Sequence, residues 1–203
     1  MNDNLSEIIC IIDRSGSMES IKNDAIGGFN SFIAQQKADP DEANVTIVLF
    51  DDHYDVMASG IPIAQVAPLD TTTFVPRGST ALFDAIGKTL DDVGTRLASL
   101  PESARPGTVV VAILTDGEEN ASHLYSRERI AAMIQHQREV YSWEFIFLAA
   151  NQDAVASARR ISIDAADAVA FAPSAAGTAV AFSEMSERTL DKRYLRKGGR
   201  PKP

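Results

Sequence analysis

Apolar residues in this chain fall into two alternating patterns. The first is short and continuous: Glu7 to Ile12 reads EIICII, Val45 to Phe50 VTIVLF, Val109 to Leu114 VVVAIL and Phe145 to Ala149 FIFLA. Apolar runs of this length predict strands buried on both faces. The second pattern has helical spacing. Ile21, Ala25, Phe29, Phe32 and Ile33 form one stripe of residues 18–37, which Asp39-Pro40 ends. Leu82, Ile86, Leu90, Val93, Leu97 and Leu100 form another over 81–100, stopped by Pro101. Ser126 is placed to cap a third helix reaching about Tyr141, with Ile130, Met133, Ile134 and Tyr141 inward. Asp153 to Arg160 reads as a short helix and Ala168 to Phe171 as a last strand. A final helix begins at Ser174 or Ala175 and offers Phe182, Met185 and Leu190 to the sheet. Two weaker strand candidates, Tyr54 to Ala58 and Ile61 to Val66, predict a hairpin at a sheet edge.

Strands alternating with helices of this length require crossover connections and a mainly parallel sheet. The expected fold is α/β and doubly wound, with helices on both faces and one antiparallel edge strand. One domain fills residues 1–191, and residues 192–203 form a basic C-terminal tail. Such sheets bind ligands at the carboxyl ends of their strands. Polar residues directly after a buried strand are therefore the candidates for function.

Composition narrows the class. Apolar residues make up 45% and charged residues 23%, an ordinary globular mix. No apolar run approaches the roughly 18–20 residues of a membrane helix. MNDNLSEII lacks the basic region that opens a secretory signal. Cys10, the only cysteine, excludes a disulfide framework and reads as a small buried hydrophobe, which makes cytoplasm the expected compartment. The net charge of −9 is unevenly spread. Lys192, Arg193, Arg196, Lys197, Arg200 and Lys202 crowd the tail, while every acidic residue lies before it. An acidic body disfavours nucleic acid.

Three polar loops fall on one predicted rim. Asp13-Arg14-Ser15-Gly16-Ser17 follows the first strand, Arg77-Gly78-Ser79-Thr80 opens the middle helix, and Thr115-Asp116-Gly117-Glu118-Glu119-Asn120 follows the most apolar strand. Asp13 and Asp116 supply two carboxylates, and Ser15, Ser17 and Thr80 three neutral hydroxyls. An all-oxygen set suits a hard cation, Mg²⁺ or Mn²⁺. Two carboxylates only neutralise such an ion, which leaves a position for a carboxylate from outside. Arg14 and Arg77 flank the site and are expected to steer an acidic ligand. Glu118 and Glu119 read as turn residues, and Asn151 as a residue on the same rim. His53, His123 and His136 have no metal-ligand partner at helical spacing.

These residues carry a resemblance. Asp-x-Ser-x-Ser as Asp13, Ser15 and Ser17, then Thr80, then Thr-Asp-Gly with Asp116, resembles the metal-ion-dependent adhesion site of von Willebrand factor type A domains. Strings such as GSTALFDAIG and LTDGEEN resemble short bacterial and phage-borne members, including tellurium-resistance-associated ones. The resemblance implies direct metal contact from Asp13, Ser15 and Ser17. Thr80 would join when ligand is present, and Asp116 would bind directly or through water. It also implies an intracellular adaptor or assembly factor that recognises an Asp or Glu of a protein partner. Two other readings stand beside it: a Mg²⁺-dependent phosphoester hydrolase using Asp13, and a structural component that self-assembles through the metal face. No GxxxxGK[ST], GxGxxG or GxSxG motif is present, and no histidine adjoins Ser15 or Ser17. The binding module is preferred, because three hydroxyls supply no base.

Overall fold

The four apolar runs become the interior strands of a six-stranded sheet in a computed structural model, which describes residues 1–150 and 153–195. In chain order the elements are β1 (Asn2–Asp13), α1 (Lys22–Ala38), β2 (Glu42–Phe50), β3 (Tyr54–Pro62), α2 (Leu82–Ser99), β4 (Pro106–Thr115), α3 (Arg127–Tyr141), β5 (Glu144–Ala149), α4 (Ala154–Arg160), β6 (Ala168–Ala170) and α5 (Ala175–Leu195). The spatial order is β3-β2-β1-β4-β5-β6. Every neighbouring pair is parallel except β2 with β3. The strand order reverses beside β1, so β1 and β4 diverge in their connections and leave a crevice at their carboxyl ends.

Alternation along β1 sorts the core into two layers. Ile8, Cys10 and Ile12 face Phe29 and Phe32 of α1 and Phe182 and Met185 of α5. Ile9 and Ile11 face Ile86 and Leu90 of α2 and Ile130 and Ile134 of α3. All are buried. Burying one such side chain contributes about 1.5–3 kcal/mol, so two full layers supply the main driving force for folding. Register then sets the rim: Asp13 pairs with Phe50, and Ile12 with Leu49 and Leu114. Asp13, Asp51 and Asp116 thus sit at the ends of three adjacent strands.

Four local expectations need correction. The edge hairpin is a single strand, β3, followed by a short 3-10 turn at Ile63–Gln65. Gly60 adopts φ 61 and the pairing shifts register twice, so the chain bulges and continues instead of reversing. The first helix opens with a 3-10 segment, Gly16–Ile21, before α1 begins. Tyr141 points outward, because Ser142 at φ 54 ends α3 and turns the chain toward β5; Trp143 is the ring that is buried there. Ser126 does cap α3, accepting from the Arg129 amide.

The fourth correction concerns the tail. Lys192 and Arg193 belong to α5. Lys192 pairs with Glu144 at 2.9 Å and Asp167 at 2.8 Å. Arg193 is buried and reaches Asp39 at 3.1 Å and Gln36 Oε1 at 2.9 Å, joining the ends of α5 and α1. Each basic side chain has acids within reach on neighbouring elements, and that keeps the helix going. Arg196, Lys197, Arg200 and Lys202 lie outside the described residues. Among the described residues no helix is long and apolar enough to cross a membrane.

Candidate metal centre

The rim is built outward from Asp13. Its carboxylate is fully buried and held from two sides: the Ser15 amide donates to Oδ1 at 2.7 Å, and the Thr115 hydroxyl to Oδ2 at 2.6 Å. The first bond bends the chain after β1 so that residues 13, 15 and 17 present side chains to one side. Ser15 Oγ and Ser17 Oγ lie 3.0 Å apart, and Ser17 donates to Asp116 Oδ1 at 2.6 Å. Thr80 enters from the third loop. Its amide donates to Asn120 Oδ1 at 2.9 Å, and its carbonyl accepts from the Asn120 amide at 3.0 Å.

Gly117 shows how closely these groups converge. A Cβ built there would lie 2.9 Å from Thr80 Oγ1, 3.5 Å from Ser17 Oγ and 3.7 Å from Ser15 Oγ. Three hydroxyls from three sequence positions therefore surround one small space that only glycine leaves open. All five candidate residues, Asp13, Ser15, Ser17, Thr80 and Asp116, meet on this rim.

The electrostatics favour a cation. Burial pushes the Asp13 carboxyl above its ordinary range, against the hydrogen bonds from Thr115 and Ser15. Burial also raises Asp116, to about 6, with the nearby charge of Asp13 adding to it and the Ser17 hydrogen bond opposing. Among the described residues neither carboxylate has an ion-pair partner. Two desolvated carboxylates side by side are unfavourable until a positive charge joins them. The donor set is entirely oxygen and fits Mg²⁺ or Mn²⁺.

The flanking arginines behave otherwise than expected. Arg14 is buried and turns away from the rim, with Nη2 at 2.9 Å from Asp51 Oδ2 and 2.6 Å from Asp55 Oδ2. Arg77 is half-exposed but joins the same two acids, at 2.9 and 3.3 Å. Their charges are engaged within the fold, so neither waits for an outside carboxylate. Adjacent-strand register brings Arg14 beside Asp51, a pairing across 37 positions that no local motif announces. Asp51, Asp52 and His53 also bring three possible ligand atoms within 4.8 Å. Two guanidiniums already compensate Asp51 there, which makes the Asp13–Asp116 cluster the stronger candidate for a cation.

Other rim residues are structural supports. Glu119 accepts from the Ala121, Ser122 and Phe83 amides at 3.0, 2.8 and 2.9 Å, so it closes its own turn and caps the start of α2. Glu118 is exposed. Asn151 lies outside the described residues. Thr115, Asn120 and Asp51 are the supports that the sequence reading missed. Thr115 could have been found from its place directly before Asp116, where a strand end aims its hydroxyl at the same rim.

No protein-family model matches the chain, and no curated protein does. Solved structures do. A von Willebrand factor type A structure from Catenulispora acidiphila is 17% identical, with a TM-score of 0.58, covering 92% of this chain and 43% of that one. Proximal thread matrix protein 1 from the mussel byssus, with a zinc-occupied metal-ion-dependent adhesion site motif, is 16% identical with a TM-score of 0.62, covering 91% and 45%. Manganese-loaded TRAP protein of Plasmodium vivax is 16% identical with a TM-score of 0.54, covering 75% and 59%. The chain thus spans about half the length of the structures it matches. Strand order, the antiparallel edge and these likenesses agree: the chain has the von Willebrand factor type A fold.

Proposed function

We propose that this chain is a metal-dependent protein-binding module, with Asp13, Ser15, Ser17, Thr80 and Asp116 holding one divalent cation. The observation that carries the reading is the convergence of two carboxylates, the fully buried Asp13 and the half-buried Asp116, on a rim whose neighbouring guanidinium, Arg14, is paired with Asp51 instead. When bound, the ion supplies an electrophilic position for a carboxylate oxygen of the partner. The oxygen donors favour Mg²⁺ or Mn²⁺, and the similar structures hold manganese and zinc. The side chains of this chain do the rest: Thr115 and the Ser15 amide fix Asp13, Ser17 orients Asp116, and Asn120 holds Thr80 at the edge.

We read the module as non-enzymatic. Among the described residues no imidazole reaches the rim hydroxyls to activate them, and His53 is occupied with Asp51 and Asp52. A cytoplasmic adaptor or assembly factor, with a partner offering Asp or Glu, is the role this site fits. The test is calorimetry with Mg²⁺ and Mn²⁺, followed by capture of partners from the native cell with and without EDTA. Binding that returns with Mg²⁺ and fails in Asp13→Ala supports the module. A partner indifferent to both treatments would move the interaction elsewhere on the surface.

A further inference from the structure

Asp51 is the most heavily used side chain near the rim, yet it offers nothing to the metal centre directly. Its carboxylate is fully buried and receives Arg14 Nη2 at 2.9 Å, Arg14 Nε at 3.2 Å and Arg77 Nε at 2.9 Å on one oxygen, and the His53 amide at 2.6 Å on the other. Its backbone carbonyl accepts from the Ala81 amide at 2.9 Å. Arg14 stands between Asp13 and Ser15. Arg77 stands three residues before Thr80, and Ala81 directly after it. One residue thus grips both sides of the loop that carries Thr80 and the middle of the loop that carries the carboxylate and serine ligands. Backbone bonds close the same seam: Arg77 N donates to Arg14 O at 3.0 Å, and Gly16 N to Gly78 O at 3.2 Å.

We infer that Asp51 is a positioning residue of the metal centre: it clamps the Asp13–Ser17 loop to the Thr80 loop through Arg14 and Arg77, so that their oxygens converge. The inference rests on the metal-binding reading above. It also explains the fate of two arginines beside a cation site. Unpaired, Arg14 and Arg77 would repel a divalent ion; joined to Asp51 and Asp55 they form a neutral cluster. The clamp therefore does two things at once, fixing geometry and cancelling the charge that would oppose the ion. Groups that orient ligands without touching a metal typically change affinity by about 10–100-fold when removed.

The experiment is Mn²⁺ calorimetry on the full chain, wild type against Asp51→Asn, Arg14→Gln, their double variant and Arg77→Gln. Asp51→Asn is expected to weaken Mn²⁺ by at least about tenfold. The double variant should be no worse than either single change, because a shared clamp is lost only once. Additive losses would overturn the clamp, since independent sites add. Arg77→Gln, at a half-exposed position, keeps the buried Arg14 pair and covers the case in which Asp51→Asn fails to fold. A severalfold loss is expected from it, and wild-type affinity would overturn the link to the Thr80 loop. Val93→Ala, a core truncation in α2, controls for stability alone and should bind as wild type does.

Hydrogen exchange of the metal-free protein separates the two readings. In Arg77→Gln the amides of residues 14–18 and 77–81 should lose protection together. If wild type takes up no Mn²⁺ but this joint loss is seen, the metal reading fails and the clamp remains. If Mn²⁺ binds and the two loops respond independently, the clamp fails and the metal reading remains.

Discussion

Asp13 and Asp51 end adjacent strands of one sheet, both are completely buried, and they meet opposite fates. Asp51 is enclosed by two guanidiniums and a backbone amide. Burial pushes its carboxyl up, but the His53 amide and the two arginines outweigh burial, and its pKa falls below the ordinary range. Asp13 is met by neutral donors, chiefly the Thr115 hydroxyl and the Ser15 amide, so burial wins and its pKa rises. The same residue type at the same depth makes an internal joint in one case and, in the other, a carboxylate that no side-chain cation among the described residues pairs. What decides is whether the fold supplies a cation of its own. A buried carboxylate is a candidate ligand when the protein leaves it without one.

The sharpest way to break this comparison is to neutralise each aspartate in turn. Asp51→Asn should cost about 3–5 kcal/mol of metal-free stability by urea denaturation, because it leaves the buried Arg14 with only the part-exposed Asp55 as counter-charge. Asp13→Asn should stay within about 1 kcal/mol of wild type, since it removes a charge that had no partner. Equal destabilisation by the two changes would end the distinction. Metal adds a second difference. Saturating Mn²⁺ at about a hundredfold over Kd stabilises by about 2.7 kcal/mol, a rise on the order of 5–10 °C in melting temperature for a chain this size. EDTA should erase that rise in wild type, and Asp13→Asn should never show it.

Thr80→Ala is a smaller perturbation. It removes a neutral oxygen and no charge, so Mn²⁺ affinity should fall less than tenfold while capture of an acidic partner weakens more. Equal losses in metal and partner binding would erase the separate role assigned to the third loop. The smallest effect concerns acid. Because the folded pKa of Asp51 lies below the ordinary 3.8, its stabilisation is complete above that value and is lost as pH falls below it. Wild type should therefore lose stability more steeply than Asp51→Asn between about pH 4 and pH 2 in denaturation curves. Parallel curves would show that the joint carries no net charge stabilisation.

Much of this was legible in the sequence, for identifiable reasons. Buried parallel strands must be apolar on both faces, so EIICII and VVVAIL announce themselves. The convergence of the five candidate residues was legible because they sit where such strands end, and because Asp13, Ser15 and Ser17 are spaced within one short loop. The joint was not legible. Arg14 lies inside that loop, yet its partners Asp51 and Asp55 lie on the far side of α1, and only strand register brings them together. Lys192 and Arg193 read as the start of a basic tail for the same reason, since their acids belong to distant elements. The β3 bulge escaped because Gly60 fits a turn and a left-handed strand position equally well.

The two outer strands of the sheet bear on how this protein behaves when concentrated. An open edge invites another chain to add a strand, and that is a common start of aggregation. Here one edge, β6, is only three residues long. The other, β3, is kinked by two register shifts and closed by Pro62. Neither offers a straight ladder of free amides and carbonyls for a second copy to join. Filaments grown edge to edge are therefore discouraged by the backbone itself, and copies that do associate must meet through side chains.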